Sequence, residues 1–110
     1  MYADQFTYNI IMEPFSRRRD YITTQQIFDD GYARRVIHTS VIAYTILIQS
    51  YLRAPNAVVV MNAIRDRMSQ NRVVPNETSY HAMLEIARAG RDGSCAVKLY
   101  EEMKQRGLAL

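Results

Sequence analysis

The 110-residue chain is 48% hydrophobic and 23% charged, the make-up of one folded domain and not of a disordered tail; a chain of this size buries about two-thirds of its unfolded surface without staples. Its single cysteine, Cys95, and its two histidines, His38 and His81, exclude an intramolecular disulfide and a tetrahedral zinc site of the usual spacing, and apolar runs such as Ala57 to Met61 fall far short of the ~20 residues of a membrane span. The net charge of +3 is a mild bias toward anionic partners whose value depends on where the cations lie.

In chain order, the first element is a helix over roughly 5–18, with Asp4 placed to cap it. Pro14 inside it removes a backbone bond and predicts a kink or a shortened helix. Arg17-Arg18-Arg19-Asp20 interrupts the period, and a second helix follows over roughly 21–34. Ser40 precedes a third helix over roughly 41–53, which Ala54-Pro55-Asn56 separates from a fourth over roughly 57–71. Val58-Val59-Val60 is β-branched, but Met61, Ala63, Ile64 and Met68 continue it at helical steps, so no strand is predicted. Pro75 stops this pair, and Asn76 caps a fifth helix over roughly 77–89. Ala89-Gly90-Arg91-Asp92-Gly93 leads to a sixth over roughly 93–106, where Gly107 can take the left-handed terminating conformation. The first twenty residues contain Asp4, Glu13 and Asp20 and lack an apolar core. They read as neither a secretory nor a good transit peptide, so any targeting segment is expected outside this chain.

The chain also repeats itself. Tyr8, Tyr44 and Tyr80 stand 36 residues apart, each opening an apolar stretch of helical period. Around them Phe6-Thr7-Tyr8-Asn9-Ile10-Ile11-Met12, Ile42-Ala43-Tyr44-Thr45-Ile46-Leu47-Ile48 and Thr78-Ser79-Tyr80-His81-Ala82-Met83-Leu84 align in register. Ile27 and Phe28, Ala63 and Ile64, and Leu99 and Tyr100 recur at one later offset, with Met68 and Met103 beyond. The unit is two helices, repeated three times over about 5–40, 41–76 and 77–110, with the last unit cut short. One hairpin cannot bury both its faces, so stacked neighbours must supply the missing core. The expected fold is all-α, an α-solenoid of tandem helix-turn-helix hairpins. The three tyrosines pack between hairpins, each needing a partner for its hydroxyl.

A 36-residue hairpin that opens Thr7-Tyr8-Asn9-Ile10-Ile11 and closes, in its third copy, Ala96-Val97-Lys98-Leu99-Tyr100-Glu101-Glu102-Met103-Lys104-Gln105-Arg106-Gly107 resembles the pentatricopeptide repeat family over nearly the whole chain. Tetratricopeptide repeats share the hairpin plan but have a 34-residue period and a tryptophan, which is absent here. The resemblance implies a right-handed superhelix whose first helices line a concave groove holding single-stranded RNA, about one base per unit. It makes Asn9, Thr45 and His81, each following a tyrosine, the primary base readers. The last residues of the first two units, Ser40 and Asn76, become the second readers, while that of the third lies beyond Leu110. Thr45 with Asn76 resembles the combination associated with adenine, and Asn9 with Ser40 a pyrimidine combination; His81 is unusual for the family. Phe6, Ile42 and Thr78, two residues before each tyrosine, occupy the wedge position that slips between adjacent bases. The family further implies a mitochondrial or chloroplast location, work in RNA processing, stability, editing or translation, and other proteins of an organellar ribonucleoprotein as partners.

Base stacking worth about 1 to 3 kcal/mol per unit gives three units roughly 3 to 9 kcal/mol before the strand is ordered, which is millimolar to micromolar binding. A useful binder needs more repeats or a second RNA-binding element. Arg17, Arg18, Arg19, Arg53 and Arg88 fall near the carboxyl ends of the groove-lining helices, where they can meet phosphates or simply complement helix ends. Lys98, Lys104 and Arg106 belong to the outer helix and read as solvated surface.

No catalytic constellation and no cofactor site is expected. Cys95 reads as a small core residue, and His38 as bonded to backbone in a connecting segment. Glu101 and Glu102 are adjacent and diverge on a helix. Gly90 and Gly93 lack the strand and lysine of a phosphate loop. The rival expectation is a protein-binding scaffold, such as a structural member of an organellar ribosome or processing complex. A contiguous apolar patch in the groove favours that reading, and Asn, Thr and Arg favour RNA.

Overall fold

The structure, a computed structural model, describes residues 4–108. These form six helices and no strand: α1 (Gln5–Arg17), α2 (Tyr21–Ala33), α3 (Val41–Ser50), α4 (Ala57–Gln70), α5 (Glu77–Ala89) and α6 (Gly93–Gln105). The last two residues of the expected third unit lie outside the described residues.

Helix starts follow from short polar side chains. Asp4, Asp20, Ser40, Asn76 and Asp92 each accept the backbone N–H three residues on, satisfying a donor the helix itself leaves free. Asn76 completes a capping box with Ser79. α4 is the exception, because Asn56 enters it in the left-handed conformation at φ 57° and makes no side-chain cap.

Helix ends follow from a single closure used five times. Arg19, Arg35, Arg72, Arg91 and Gly107 hold left-handed backbone. The next N–H bonds a carbonyl five residues back: Asp20 to Phe15, Val36 to Gly31, Val73 to Met68, Asp92 to Ala87 and Leu108 to Met103. This closure satisfies carbonyls at the end of α1, α2, α4, α5 and α6, and glycine adopts it without strain. Arginine stands at four of the five.

Two expectations need correction. α3 ends at Ser50 and not near residue 53, because Arg53 is left-handed at φ 71° and the Ala54 N–H bonds the Tyr51 carbonyl at 2.8 Å, turning the chain before Pro55. Of the kink or shortening expected at Pro14, the shortening does not occur: α1 keeps the 13-residue length of α5. Pro14 and Ile10 are both exposed, so the loss of the intrahelical donor to the Ile10 carbonyl falls on the solvent side of the helix, where an unpaired carbonyl costs little.

The odd-numbered helices stack side by side, α1 on α3 and α3 on α5, and each hairpin closes on itself. α3 is therefore enclosed, and its residues from Ala43 to Ile48 are all buried. The even-numbered helices make no close backbone approach to one another; side chains bridge them. Asn71 Nδ2 donates to the Tyr32 hydroxyl at 2.9 Å, Arg67 lies 4.6 Å from the Tyr32 ring centre and 3.8 Å from Asp29, and Arg65 pairs with Glu102.

The repeated tyrosines fill the seams at 6%, 0% and 0% exposure, and each hydroxyl has its partner. Tyr8 donates to Asp30 Oδ2 at 2.6 Å, Tyr44 to the His38 carbonyl at 2.9 Å and Tyr80 to Glu102 Oε2 at 3.1 Å. Gly31 allows the closest approach within the first hairpin, since a Cβ there would lie 2.9 Å from Ile37 and 3.0 Å from the Tyr8 ring.

Candidate nucleic-acid interface

The stacking of α1, α3 and α5 sets the three helices side by side with a stagger, so that Ser16 Oγ meets the Ile46 carbonyl at 2.7 Å and Thr45 Oγ1 meets Ser79 Oγ at 2.8 Å. Phe6, Ile42 and Thr78 lie at the start of these helices and all three are exposed, Phe6 at 71% and Ile42 at 56%. The caps at Asp4, Ser40 and Asn76 fix where each helix begins, so Phe6, Ile42 and Thr78 are each the second residue of their helix.

The residues after the tyrosines occupy unlike surroundings. His81 is exposed on α5. Asn9 is half-buried, and its Oδ1 is enclosed without a partner. Thr45 is 6% exposed; its Oγ1 lies 2.8 Å from the Val41 carbonyl and 2.8 Å from Ser79 Oγ on the next odd helix. Ser40 is likewise 6% exposed, with Oγ accepting the Ala43 N–H at 3.2 Å. Asn76 is exposed, with Oδ1 held by the Ser79 N–H at 2.9 Å.

A hollow of about 440 Å³ spans the three odd helices, and Arg17, Arg19, Thr78 and His81 line it together with Glu13 and Glu85. Arg17 is paired with Glu13 at 3.0 Å and Arg88 with Glu85 at 2.7 Å. The hydrogen bond from Arg88 to Glu85 holds that guanidinium above its usual range. Arg18, Arg19, Arg53 and Arg88 are exposed at helix ends, with Arg18 6.0 Å from the Phe15 ring and Arg19 donating to the Ser16 carbonyl. The structure thus brings four of the thirteen predicted site residues into one hollow, and distributes the rest along the helix starts, the seams and the helix ends.

A second hollow of about 730 Å³ opens on the other side, between α4 and α6, and Cys95 lines it. Cys95 is half-buried and packs against the hydrophobic core; burial pushes its thiol up, away from the nucleophilic thiolate. His38 departs from expectation. Its carbonyl is bonded by Tyr44, while its buried Nδ1 has no partner.

Comparison with known families adds the deciding observation: a model described as the pentacotripeptide-repeat region of PRORP matches residues 3–109. The chain belongs to the pentacotripeptide-repeat family. No curated protein matched it. As a pentacotripeptide-repeat chain it is a helical-repeat protein of the RNA-binding type, and among its described residues no helix is long and apolar enough to cross a membrane.

Sequence reasoning missed two features of these pentacotripeptide repeats. Glu13 and Glu85 place carboxylates beside Arg17 and Arg88, which their spacing of four and three residues on a helix foretells. Ser79 links Thr45 and Asn76 across the seam between α3 and α5, and only its place as the third helical residue after Asn76 signals it.

Proposed function

We propose that this chain is a single-stranded RNA-binding module of an organellar RNA-processing, stability or translation factor, with units at 5–40, 41–76 and 77–110 each taking about one base. The observation that carries the reading is the exposure of Phe6, Ile42 and Thr78, each the second residue of an odd helix, with Arg17 and Arg19 lining the same hollow as Thr78. Exposed aromatic and apolar side chains offer stacking surface to splayed bases, and the arginines offer charge to the backbone. Arg18, Arg19 and Arg53 carry the phosphate role more than Arg17 and Arg88, whose charges are shared with Glu13 and Glu85. Neutralising three phosphates on a single strand gives a log-log salt slope of about −2. The module binds without catalysing.

Salt titration against a randomised single-stranded RNA pool tests this. Asn9→Ala, Thr45→Ala and Asn76→Ala should change the selected bases and leave the salt slope alone. Arg19→Gly keeps a residue suited to left-handed backbone, so the fold is retained, and should reduce the slope by about 0.7. Identical pools from all variants, or no binding by the unaltered chain, would overturn the proposal.

One observation favours a protein-binding scaffold instead: Phe6, Ile10 and Ile11 are all exposed on α1, at 71%, 55% and 45%. On that reading binding is insensitive to salt, and Phe6→Ser abolishes it while the arginine variant does not.

A further inference from the structure

Two reader positions of the second unit belong to one hydrogen-bonded chain that crosses the seam between α3 and α5. Thr45 Oγ1 lies 2.8 Å from Ser79 Oγ and 2.8 Å from the Val41 carbonyl. Ser79 Oγ lies 2.9 Å from Asn76 Oδ1 and accepts the Asn76 N–H at 3.3 Å, and Asn76 Oδ1 also accepts the Ser79 N–H at 2.9 Å. Thr45 and Ser79 are 6% and 0% exposed, whereas Asn76 is exposed.

Proton counting shows what this chain does. The two hydroxyls own two hydrogens, and three acceptors compete for them: the Val41 carbonyl, the opposite hydroxyl and Asn76 Oδ1. Two of the three arrangements put a hydrogen between the hydroxyls: Thr45 donates to Val41 and Ser79 to Thr45, or Thr45 donates to Ser79 and Ser79 to Asn76; the third, Thr45 to Val41 with Ser79 to Asn76, leaves two hydroxyl oxygens 2.8 Å apart with no hydrogen between them and is disfavoured. Asn76 Oδ1 keeps the Ser79 N–H in both, so its amide plane is fixed and Nδ2, which has no partner among the described residues, is the group left to present. What changes between the two arrangements is how much acceptor capacity Asn76 retains.

The first unit is an internal control. Its equivalents in register are Asn9, Ala43 and Ser40. Ala43 has no hydroxyl, and there the Asn9 Oδ1 is enclosed with no partner. The bridge exists only where position 79 supplies an oxygen.

We propose that Ser79 is a positioning residue that joins Thr45 and Asn76 into a single reading group, in which the buried Thr45 acts through Ser79 and the exposed Asn76 amide is the donor that meets an acceptor on the base. The role rests on the RNA-binding function proposed above. It makes base preference at this unit a property of three residues and not two.

A double-mutant cycle tests it. Thr45→Val and Asn76→Asp, alone and combined, are measured for relative affinity toward four single-stranded RNAs differing at one base, in chains carrying Ser79, Ser79→Ala or Ser79→Thr. Aspartate keeps the cap. With Ser79 in place, the two substitutions should couple by about five-fold, within the range of groups sharing one network. Ser79→Ala should reduce the coupling to near unity, and Ser79→Thr should restore it. If Ser79→Ala does not fold, Ala43→Ser supplies the reciprocal test by creating coupling between Asn9 and Ser40. Coupling that persists without the Ser79 hydroxyl, or base preferences that only follow the loss of Tm, would overturn the proposal. An RNA-free readout separates the two claims. The Asn76 side-chain NH₂ resonance should move on Thr45→Val with Ser79 present and stay still with Ser79→Ala. No movement overturns the wiring even if RNA binds; movement without any RNA binding overturns the reading function and the role built on it.

Discussion

Tyr8 and Tyr80 share a solution that Tyr44 does not. Tyr8 donates to Asp30, which Arg34 also holds, and Tyr80 donates to Glu102 while accepting from Arg106 at 2.8 Å. The hydrogen bond from Tyr8, followed by that from Arg34, holds the Asp30 carboxyl below the usual range. Tyr44 has no carboxylate. Burial pushes its phenol up to about 12, with neighbouring Tyr32 adding to the effect. The folded state therefore keeps this proton to a higher pH than the unfolded chain, whose tyrosines ionise near 10. The resulting stabilisation is complete below about pH 10 and disappears as pH rises toward 12, because the unfolded state binds fewer protons over that interval. Thermal melts followed by circular dichroism should fall steeply from pH 10 to 12, and Tyr44→Phe should flatten that fall while costing about 1 kcal/mol at neutral pH for the lost hydroxyl bonds. The burial of the three tyrosines and their need for partners were legible in the 36-residue spacing. The identity of the partners was not, because Asp30 and Glu102 lie 22 residues on, across a hairpin, and nothing local marks them. The enclosure of Thr45 and Ser40 escaped for a related reason: sequence register places a residue on a helix, but the seam with the next helix decides whether its hydroxyl is free.

Helix existence was readable nearly to the residue because starts and stops are encoded by different chemistry. Asp4, Ser40 and Asn76 announce starts through side-chain oxygens, and Gly107 announces a stop through φ. The stops at Arg19, Arg35, Arg72 and Arg91 carry no such mark, and the early end of α3 at Ser50 passed unseen because Tyr51 and Leu52 continue its apolar pattern. Within α2, Gly31 has a different purpose from a terminator. Alanine there gains about 1 kcal/mol of helix propensity, but its methyl must displace Ile37, which is fully buried, and the rigid ring of Tyr8. Overpacking of this kind costs about 1 to 3 kcal/mol, so Gly31→Ala should destabilise by about 1 kcal/mol, seen as a lower urea midpoint at unchanged m.

At the scale of the whole molecule, stability is shared between neighbours, as in other stacked repeats. A chain ending after Arg72 retains the first two hairpins but loses α5, leaving one side of α3 open to water. It should melt at lower temperature than the full chain and bind more of a hydrophobic dye. Because Phe6, Ile10 and Ile11 are exposed in both chains, the dye signal of the truncated chain should exceed that of the full chain; equal signals would contradict the packing described for α3. The hairpin stack was legible from the repeat; the splay of the even helices was not, since only side chains such as Arg67, Tyr32 and Asn71 span the gaps between them.

The enclosed position of α3 also decides how the chain yields to tension. The outer hairpins each have one neighbour and the middle one has two, so a pull applied at the termini strips the ends and reaches the centre last. Stretched between two beads, the molecule would lengthen in steps, with the segment from Val41 to Gln70 as the final one to give way.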